Sequence, residues 1–342
     1  MASNPSFLPF FLLLSSLSST TTTTAAAKNH HLPPPALTVN HYAKSCPRFH
    51  EILQQIVVPK QTATPTTAAA TLRLFFHDCM VGGCDASVLI SSNAYNKAER
   101  DQDINESLAG DGFDVVTRVK TALEVECPGV VSCSDILAVT TRDLIIQVGG
   151  PHYEVKLGRK DGLESKASNV EGRLGRPNMT MDKIIAIFES HRYTPREMVV
   201  LMGGGHTIGF AHCKEFESRL FGPKPDPSVH PKLAERLKGM CANRSADPTI
   251  SAFLDPISAG NFDNMIFKNL LNGLGVLGTD QAMASDPRTR PFVEEYARDP
   301  VVFFRDFARA MEKTSVYQVK TGSQGEIRRR CDAFNNLPNG TK

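Results

Sequence analysis

The chain has 342 residues, enough for one large domain or two smaller ones with a substantial core, which excludes peptide hormones and disulfide miniproteins. Its 38 Lys and Arg stand against 36 Asp and Glu, and a formal charge of +2 gives no global field to gather nucleic acid or an anionic membrane. With 41% hydrophobic and 22% charged residues, 22 Pro and 24 Gly, the composition is that of a folded, soluble protein rich in ordered loops.

Phe7 to Leu17 form an apolar run followed by a Ser/Thr tract and Ala25, Ala26 and Ala27, the core and small-residue cleavage region of a signal peptide over residues 1–27. Met1 to Ser6 depart from the pattern in carrying no Lys or Arg. The run is far short of the roughly 20 apolar residues that a membrane span needs. Helical periodicity then covers Arg48 to Val58, Thr66 to His77, and about 112–125, 133–148, 180–192, 195–202, 231–239, 262–272, 289–297 and 300–313. Ser132 and Asp135 resemble a capping box with Asp in place of Glu. Tyr153 to Leu157, between glycines, is the one strand-like piece, so the class is mainly α. Gly222–Pro231 and Asp247–Asn261 read as long ordered loops.

Eight cysteines at 46, 79, 84, 127, 133, 213, 241 and 331 allow up to four disulfides in an oxidising compartment, with about 105 pairings open on sequence alone. No CxxC or CxxCH is present to suggest zinc, thioredoxin chemistry or covalent haem. Glycosylation sequons begin at Asn105, Asn178, Asn243 and Asn339.

Two segments carry chemistry. In LRLFFHDC (72–79), Arg73 and His77 lie one helical turn apart on one face. A guanidinium beside an imidazole holds down its proton affinity and stabilises developing negative charge, which makes an acid/base unit. On spacing alone, a surface Arg and a buried structural His are the favoured reading. His206 lies in GGGHTIG (203–209), whose glycines would let a flat group approach the backbone.

Four motifs together resemble the secreted plant haem peroxidases, class III: Arg73-Leu-Phe-Phe-His77-Asp-Cys-Met-Val-Gly-Gly-Cys-Asp-Ala-Ser87, Gly203 to Gly209, Pro128-Gly-Val-Val-Ser-Cys133-Ser-Asp135-Ile-Leu-Ala138, and Gly158-Arg-Lys-Asp161. The resemblance spans about Leu37 to Phe334 and implies that residues 28–342 form one catalytic domain with a short C-terminal tail, a two-lobed helical fold holding haem b between the lobes. It implies that His206 is the axial iron ligand and that Asp280, in Gly278-Thr-Asp280-Gln, accepts the ring N–H of His206. His77 would be the acid/base, oriented by Asn105, with Arg73 stabilising charge and Phe76 against the cofactor. His77 would take a proton from hydrogen peroxide and return it to the leaving oxygen, and small phenolic donors would then be oxidised by single electrons.

The resemblance also implies two calcium sites. Asp78, Val81, Gly83, Asp85 and Ser87, with Glu99 through water, would form the distal one; Thr207, Asp255, Ser258, Asn261 and Asp263 would form the proximal one. Spacing alone would read these as acidic turns and caps. The implied disulfides are Cys46 with Cys127, Cys79 with Cys84, Cys133 with Cys331, and Cys213 with Cys241. Asp135 and Arg159 align with a structural ion pair, the remaining histidines read as structural or surface residues, and Arg328 to Arg330 read as a solvated patch.

One departure touches the donor. Many relatives have Leu-Pro-Ala-Pro at the haem-edge channel, whereas this chain has Leu174-Gly175-Arg176-Pro177, so Gly175 replaces a proline associated with aromatic donors. No Trp is present, with Tyr153 where relatives often carry one. The expectation is a secreted monomer that oxidises lignin- or suberin-type phenolics and cross-links cell-wall material, or acts in the response to oxidative stress. The chain ends 11 residues past Cys331, which favours cell wall over vacuole. The competing readings are a cell-wall binding or structural protein on the same scaffold without haem, and a metal-dependent hydrolase using His77, Asp78 and His206, for which no HExxH motif exists.

Overall fold

Residues 1–2 and 36–335 are described by the structure, a computed structural model; the leader, the Pro33–Pro35 run and the Asn339 sequon lie outside them. Twelve α-helices are present among the described residues: α1 (Phe49–Ala63), α2 (Thr67–Met80), α3 (Gly110–Glu126), α4 (Cys133–Gln147), α5 (Met181–Ser190), α6 (Pro195–His206), α7 (Glu217–Phe221), α8 (Pro231–Met240), α9 (Met265–Leu271), α10 (Gly278–Met283), α11 (Arg290–Arg298) and α12 (Pro300–Ser315). The class is mainly α, as the periodicity predicts.

The amphipathic faces sort the helices into two groups. The first four pack on one another through Leu53, Val57, Leu72, Phe75, Val115, Val119, Leu137 and Leu144. In the second group α6 packs on α12 and α5, and α9 on α11, around Phe262, Phe267, Tyr296, Phe303 and Phe307. The Phe262 and Phe303 rings stack 5.6 Å apart, within the range where aromatic pairs add to simple burial. Helices α2 and α6 face each other between the groups. A smaller core joins α7, α8 and a two-stranded antiparallel ribbon, β1 (Phe210–His212) with β2 (Ser251–Phe253), in the register Phe210 to Phe253. This ribbon emerges directly from the end of α6.

Three local expectations are corrected. Tyr153–Leu157 alternates inward and outward, but its residues find no strand to pair with beyond a bridge from Leu157 to Thr38; the inward side chains join the main hydrophobic core instead. At α4, Ser132 Oγ accepts the Asp135 N–H at 3.1 Å, but the Asp135 carboxylate does not reach back to close a capping box. It takes Arg159 Nη1 at 2.7 Å, the Tyr42 hydroxyl at 2.6 Å and the Gly158 N–H at 2.7 Å, a fully buried ion pair with its remaining lone pairs satisfied. The reciprocal capping box is Thr194 with Glu197, at the start of α6.

The third correction is the length of α6, which continues through Gly203–Gly205 to His206 although glycine is a poor helix former. A Cβ on Gly203 would come 2.2 Å from Phe267 Cζ, and one on Gly204 would come 2.2 Å from Phe307 Cε2. Tertiary packing of two rings into backbone notches outweighs the propensity. Four disulfides join Cys46 to Cys127, Cys79 to Cys84, Cys133 to Cys331 and Cys213 to Cys241, the pairs named above.

Candidate active site

A cavity of about 600 Å³ opens between α2 and α6, a size typical of pockets that hold a cofactor or small ligand. Arg73, Phe76 and His77 line it from α2; Leu201, Met202, Gly205 and His206 line it from α6; Leu174, Gly175 and Arg176 stand at its edge. A Cβ on Gly205 would meet nothing within 4 Å. Of the three consecutive glycines, Gly205 alone leaves the backbone open toward the cavity, while Gly203 and Gly204 serve the core.

Each histidine is held by one ring nitrogen. Asn105 Nδ2 donates to the Glu99 carbonyl at 2.8 Å, so Asn105 Oδ1 is the atom turned toward His77 Nδ1, 2.7 Å away. An amide oxygen only accepts, which requires Nδ1 of His77 to carry the proton and leaves Nε2 with its lone pair. Burial, with help from the Arg73 cation, pushes the His77 pKa down to about 3, so the ring is neutral at physiological pH. Asn105 is 2% exposed, so its sequon is buried in the fold.

Opposite, His206 Nδ1 lies 2.8 Å from both carboxylate oxygens of buried Asp280, which fixes Nδ1 as the donor and leaves Nε2 bare. A carboxylate behind an imidazole raises its basicity and fixes its orientation, the arrangement found behind metal-ligating histidines. Arg73 shares the cavity with His77, but its guanidinium turns to the 104–107 loop, donating to the Ser107 carbonyl at 2.7 Å, Ser107 Oγ at 3.0 Å and the Ile104 carbonyl at 3.2 Å. Burial lowers its pKa to about 10, and it remains a cation. The half-buried Phe76 ring stands edge-on to His77, with centroids 6.4 Å apart.

The two acidic clusters flank these helices. Behind His77, the Asp78 carboxylate accepts the Ala86 N–H at 2.9 Å and the Val88 N–H at 3.3 Å, folding the 81–88 loop onto the end of α2. Ser87 Oγ donates to Glu99 at 2.9 Å, a direct contact, and Asp85 Oδ1 accepts the Ser87 N–H at 3.1 Å. Gly83, at φ +106, is required: a Cβ there would come 2.4 Å from the Gln318 carbonyl. Burial and mutual repulsion push Asp78 up to about 8 and Glu99 up to about 9, with Asp85 also raised. The nearby cations, Lys320 with Nζ 4.0 Å from Asp85 Oδ2 and the fully buried Arg328, offset the three buried carboxylates only in part, and a divalent ion would stabilise them further.

After His206, Thr207 Oγ1 donates to the Asp263 carbonyl at 2.9 Å, and Ser258 Oγ bridges Asp255 at 3.2 Å and Asp263 at 3.0 Å. Asn261 joins this turn through its carbonyl, 3.5 Å from Thr207 Oγ1. Asp255 Oδ1 also accepts from the Ile257 and Ser258 amides and from Asn269 Nδ2. Both sets mix carboxylates with hydroxyl and carbonyl oxygens; no group of three or more His, Cys, Asp or Glu side chains converges as a metal cluster among the described residues.

Comparison with known proteins decides what this constellation belongs to. A family model described as Peroxidase matches residues 53–299. The chain is 59% identical to Peroxidase 41 of Arabidopsis thaliana over 301 residues, covering 88% of this chain and 92% of that one. It is 56% identical to Peroxidase 65 over 88% of this chain and 90% of the relative, and 57% identical to Peroxidase 63 over 87% and 90%, both from the same plant. The chain belongs to the peroxidase family.

This peroxidase is accordingly an oxidoreductase that acts on hydrogen peroxide, and its membership implies a haem cofactor. The cavity fits such a group: two mainly apolar walls, an open strip of backbone at Gly205, and a His206 Nε2 that no hydrogen bond claims from behind. Sequence reasoning passed over Asp103, Ile104 and Ser107, which lie in the loop receiving Arg73. Their signal was weak, because two of the three act through main-chain carbonyls that any residue supplies. No helix among the described residues is long and apolar enough to cross a membrane.

Proposed function

We propose that this chain is a secreted class III peroxidase that binds one haem b through His206 and two calcium ions, and that it oxidises phenolic donors by one-electron steps. The observation that carries the reading is the pair of histidines on opposite walls of one cavity, each with its Nδ1 fixed by a buried partner and its Nε2 bare.

Haem, when bound, would supply the redox chemistry for cleaving the O–O bond. His206 would hold the iron through Nε2, with Asp280 as the positioning residue that makes the ring a stronger donor. His77 Nε2 accepts a proton from hydrogen peroxide and returns it to the departing oxygen as water forms, the work of one base and acid of low proton affinity. Asn105 is a positioning residue: it holds His77 in the tautomer that keeps Nε2 free. Arg73 brings a fixed cation to the same cavity, and swinging from the Ser107 and Ile104 carbonyls would set it beside the separating charge. Phe76 and Gly175 border the space left for the cofactor edge and the donor.

Asp78, Val81, Gly83, Asp85 and Ser87, backed by Glu99, would hold one calcium; Thr207, Asp255, Ser258, Asn261 and Asp263 would hold the other. Each set sits beside one of the two histidines in sequence, so each cation would brace one side of the cavity. Residues 1–27 serve as the secretion signal and 28–342 as one catalytic domain, a monomer delivered to the cell wall, where lignin- and suberin-type phenolics are the donors.

The test is peroxide-dependent oxidation of a simple phenol by the purified protein, beside His77→Ala. We expect turnover by the wild type and a loss of about 10²- to 10⁴-fold in the variant, the range for removing a positioned general base. Equal rates in both would overturn the assignment of His77, and no turnover by either would favour a scaffold without haem.

A further inference from the structure

A charged pair spans the mouth of the cavity, and nothing in the reaction assigned above employs it. Asp103 comes from the loop that follows the Glu99–Asp101 turn, and Arg176 from the Leu174–Pro177 run. Both line the opening, and Arg176 Nη2 donates to the two Asp103 carboxylate oxygens at 2.8 and 2.9 Å. The residues lie 73 positions apart, so this is a tertiary strut and not a local turn contact. Asp103 Oδ1 also accepts the Ile104 N–H at 2.7 Å, and the Ile104 carbonyl receives Arg73. The strut therefore joins the rim to the loop that carries Asn105.

Beside Arg176, a Cβ on Gly175 would come 2.7 Å from Ile184 Cδ1, so the Ile184 methyl uses the room the glycine leaves. The pair is open to competition: its side chains are 37% and 62% exposed, and an exposed ion pair contributes only about 0–1 kcal/mol. The other charges at the mouth are Glu106, Glu215, Glu217 and Lys214. Glu106 is exposed there, Glu215 lies 3.9 Å from Lys214, and Glu217 is tied to Arg244. With Arg176 engaged by Asp103, the guanidinium at this edge is neutralised, and the exposed Lys214 that also lines the mouth stands beside Glu215.

We propose that the Asp103–Arg176 pair is the donor-charge filter of this peroxidase: while paired it favours neutral phenols over phenols that carry a carboxylate, and loss of either partner moves that preference in opposite directions. The inference rests on the function proposed above and adds the specificity-determining residues at the rim.

The test compares 4-methylphenol with 3-(4-hydroxyphenyl)propionate, which share a para-alkyl phenol ring and differ in charge. In the holoenzyme, Asp103→Asn should raise the anionic-to-neutral ratio of kcat/KM about fivefold by freeing Arg176, and Arg176→Gln should lower it about fivefold by leaving Asp103 bare, the upper range for one exposed pair. Arg176→Lys, which keeps the charge but loses the planar fork, should fall between Arg176→Gln and the wild type. The double variant should return near the wild-type ratio. Dissociation constants of 3-(4-hydroxyphenyl)propionate, measured calorimetrically without peroxide, should follow the same order, and the differences should shrink in high salt. A ratio that stays within about twofold in both single variants while the enzyme turns over overturns the filter and leaves the peroxidase reading intact. A wild type that oxidises neither phenol overturns that reading and the filter together.

Discussion

His77 shows how little of a residue's chemistry lies in its own side chain. The ring is an ordinary imidazole until burial and Arg73 pull its pKa down to about 3 and Asn105 pins its tautomer. A base depressed that far stays unprotonated as pH falls, so the rate of peroxide consumption at limiting peroxide should hold with respect to His77 down to about pH 4 and drop only on protonation near pH 3. An acid limb centred near 6.5 would show the ring to be solvated instead. Replacing Arg73 with Leu removes a cation that opposes protonation, so the limb should move to higher pH while the rate falls by about 10²-fold, the scale for one lost electrostatic stabiliser. Asn105→Ala should reduce the rate less than His77→Ala and should change kcat more than the KM of the donor, because it acts through the ring's orientation. The four-residue spacing placed Arg73 and His77 on one helical face, but it took the resemblance to read them as an acid/base unit. The Asn105 contact also came from the resemblance, since it joins positions 28 apart through a loop whose path no periodicity encodes.

At the level of elements, α6 carries the argument. Its three glycines read as a place for a flat group, and the structure divides them: two receive Phe267 and Phe307, and one faces the cavity. Glycine-to-alanine changes should therefore separate. Gly203→Ala and Gly204→Ala force a methyl into a ring and should destabilise the cofactor-free protein by about 1–3 kcal/mol, read as a lowered Tm. Gly205→Ala adds helix propensity in open space, so it should leave that Tm unchanged or slightly raised while weakening haem uptake. Most helices were visible in the sequence because an amphipathic stripe survives any tertiary context. The short α7 and α10 and the β1–β2 ribbon were not, since three to six residues carry too little pattern and are held by neighbours. The segment Tyr153–Leu157 read as strand-like but pairs with no strand, because pairing depends on a partner that periodicity cannot supply.

Over the whole molecule, the disulfides and buried ion pairs tie distant segments to the frame that holds the cavity. Cys133 and Cys331 close a separation of 198 residues and anchor the C-terminal segment at the start of α4. Replacing both with serine should cost about 2–5 kcal/mol in denaturant titrations, a global loss with no change in the pH profile. Spacing alone left the pairings open among about 105; the family resemblance named these four, because it carries the three-dimensional information that one sequence withholds. The same holds for the two acidic clusters, which look like solvated turns in the linear chain, whereas Asp78, Asp85, Glu99 and Asp255 are buried once loops 78–99 and 255–263 fold beside their helices. The central claim, that His206 and His77 face one another across a haem site, is tested most directly by the absorption spectrum of the purified, haem-reconstituted protein before and after one equivalent of hydrogen peroxide, beside His206→Ala and His77→Ala. We expect a Soret band in the wild type that shifts promptly with peroxide, a band lost or strongly altered in His206→Ala, and a normal band that shifts slowly in His77→Ala. The same Soret band in His206→Ala as in the wild type, or none in any of the proteins, would contradict that claim.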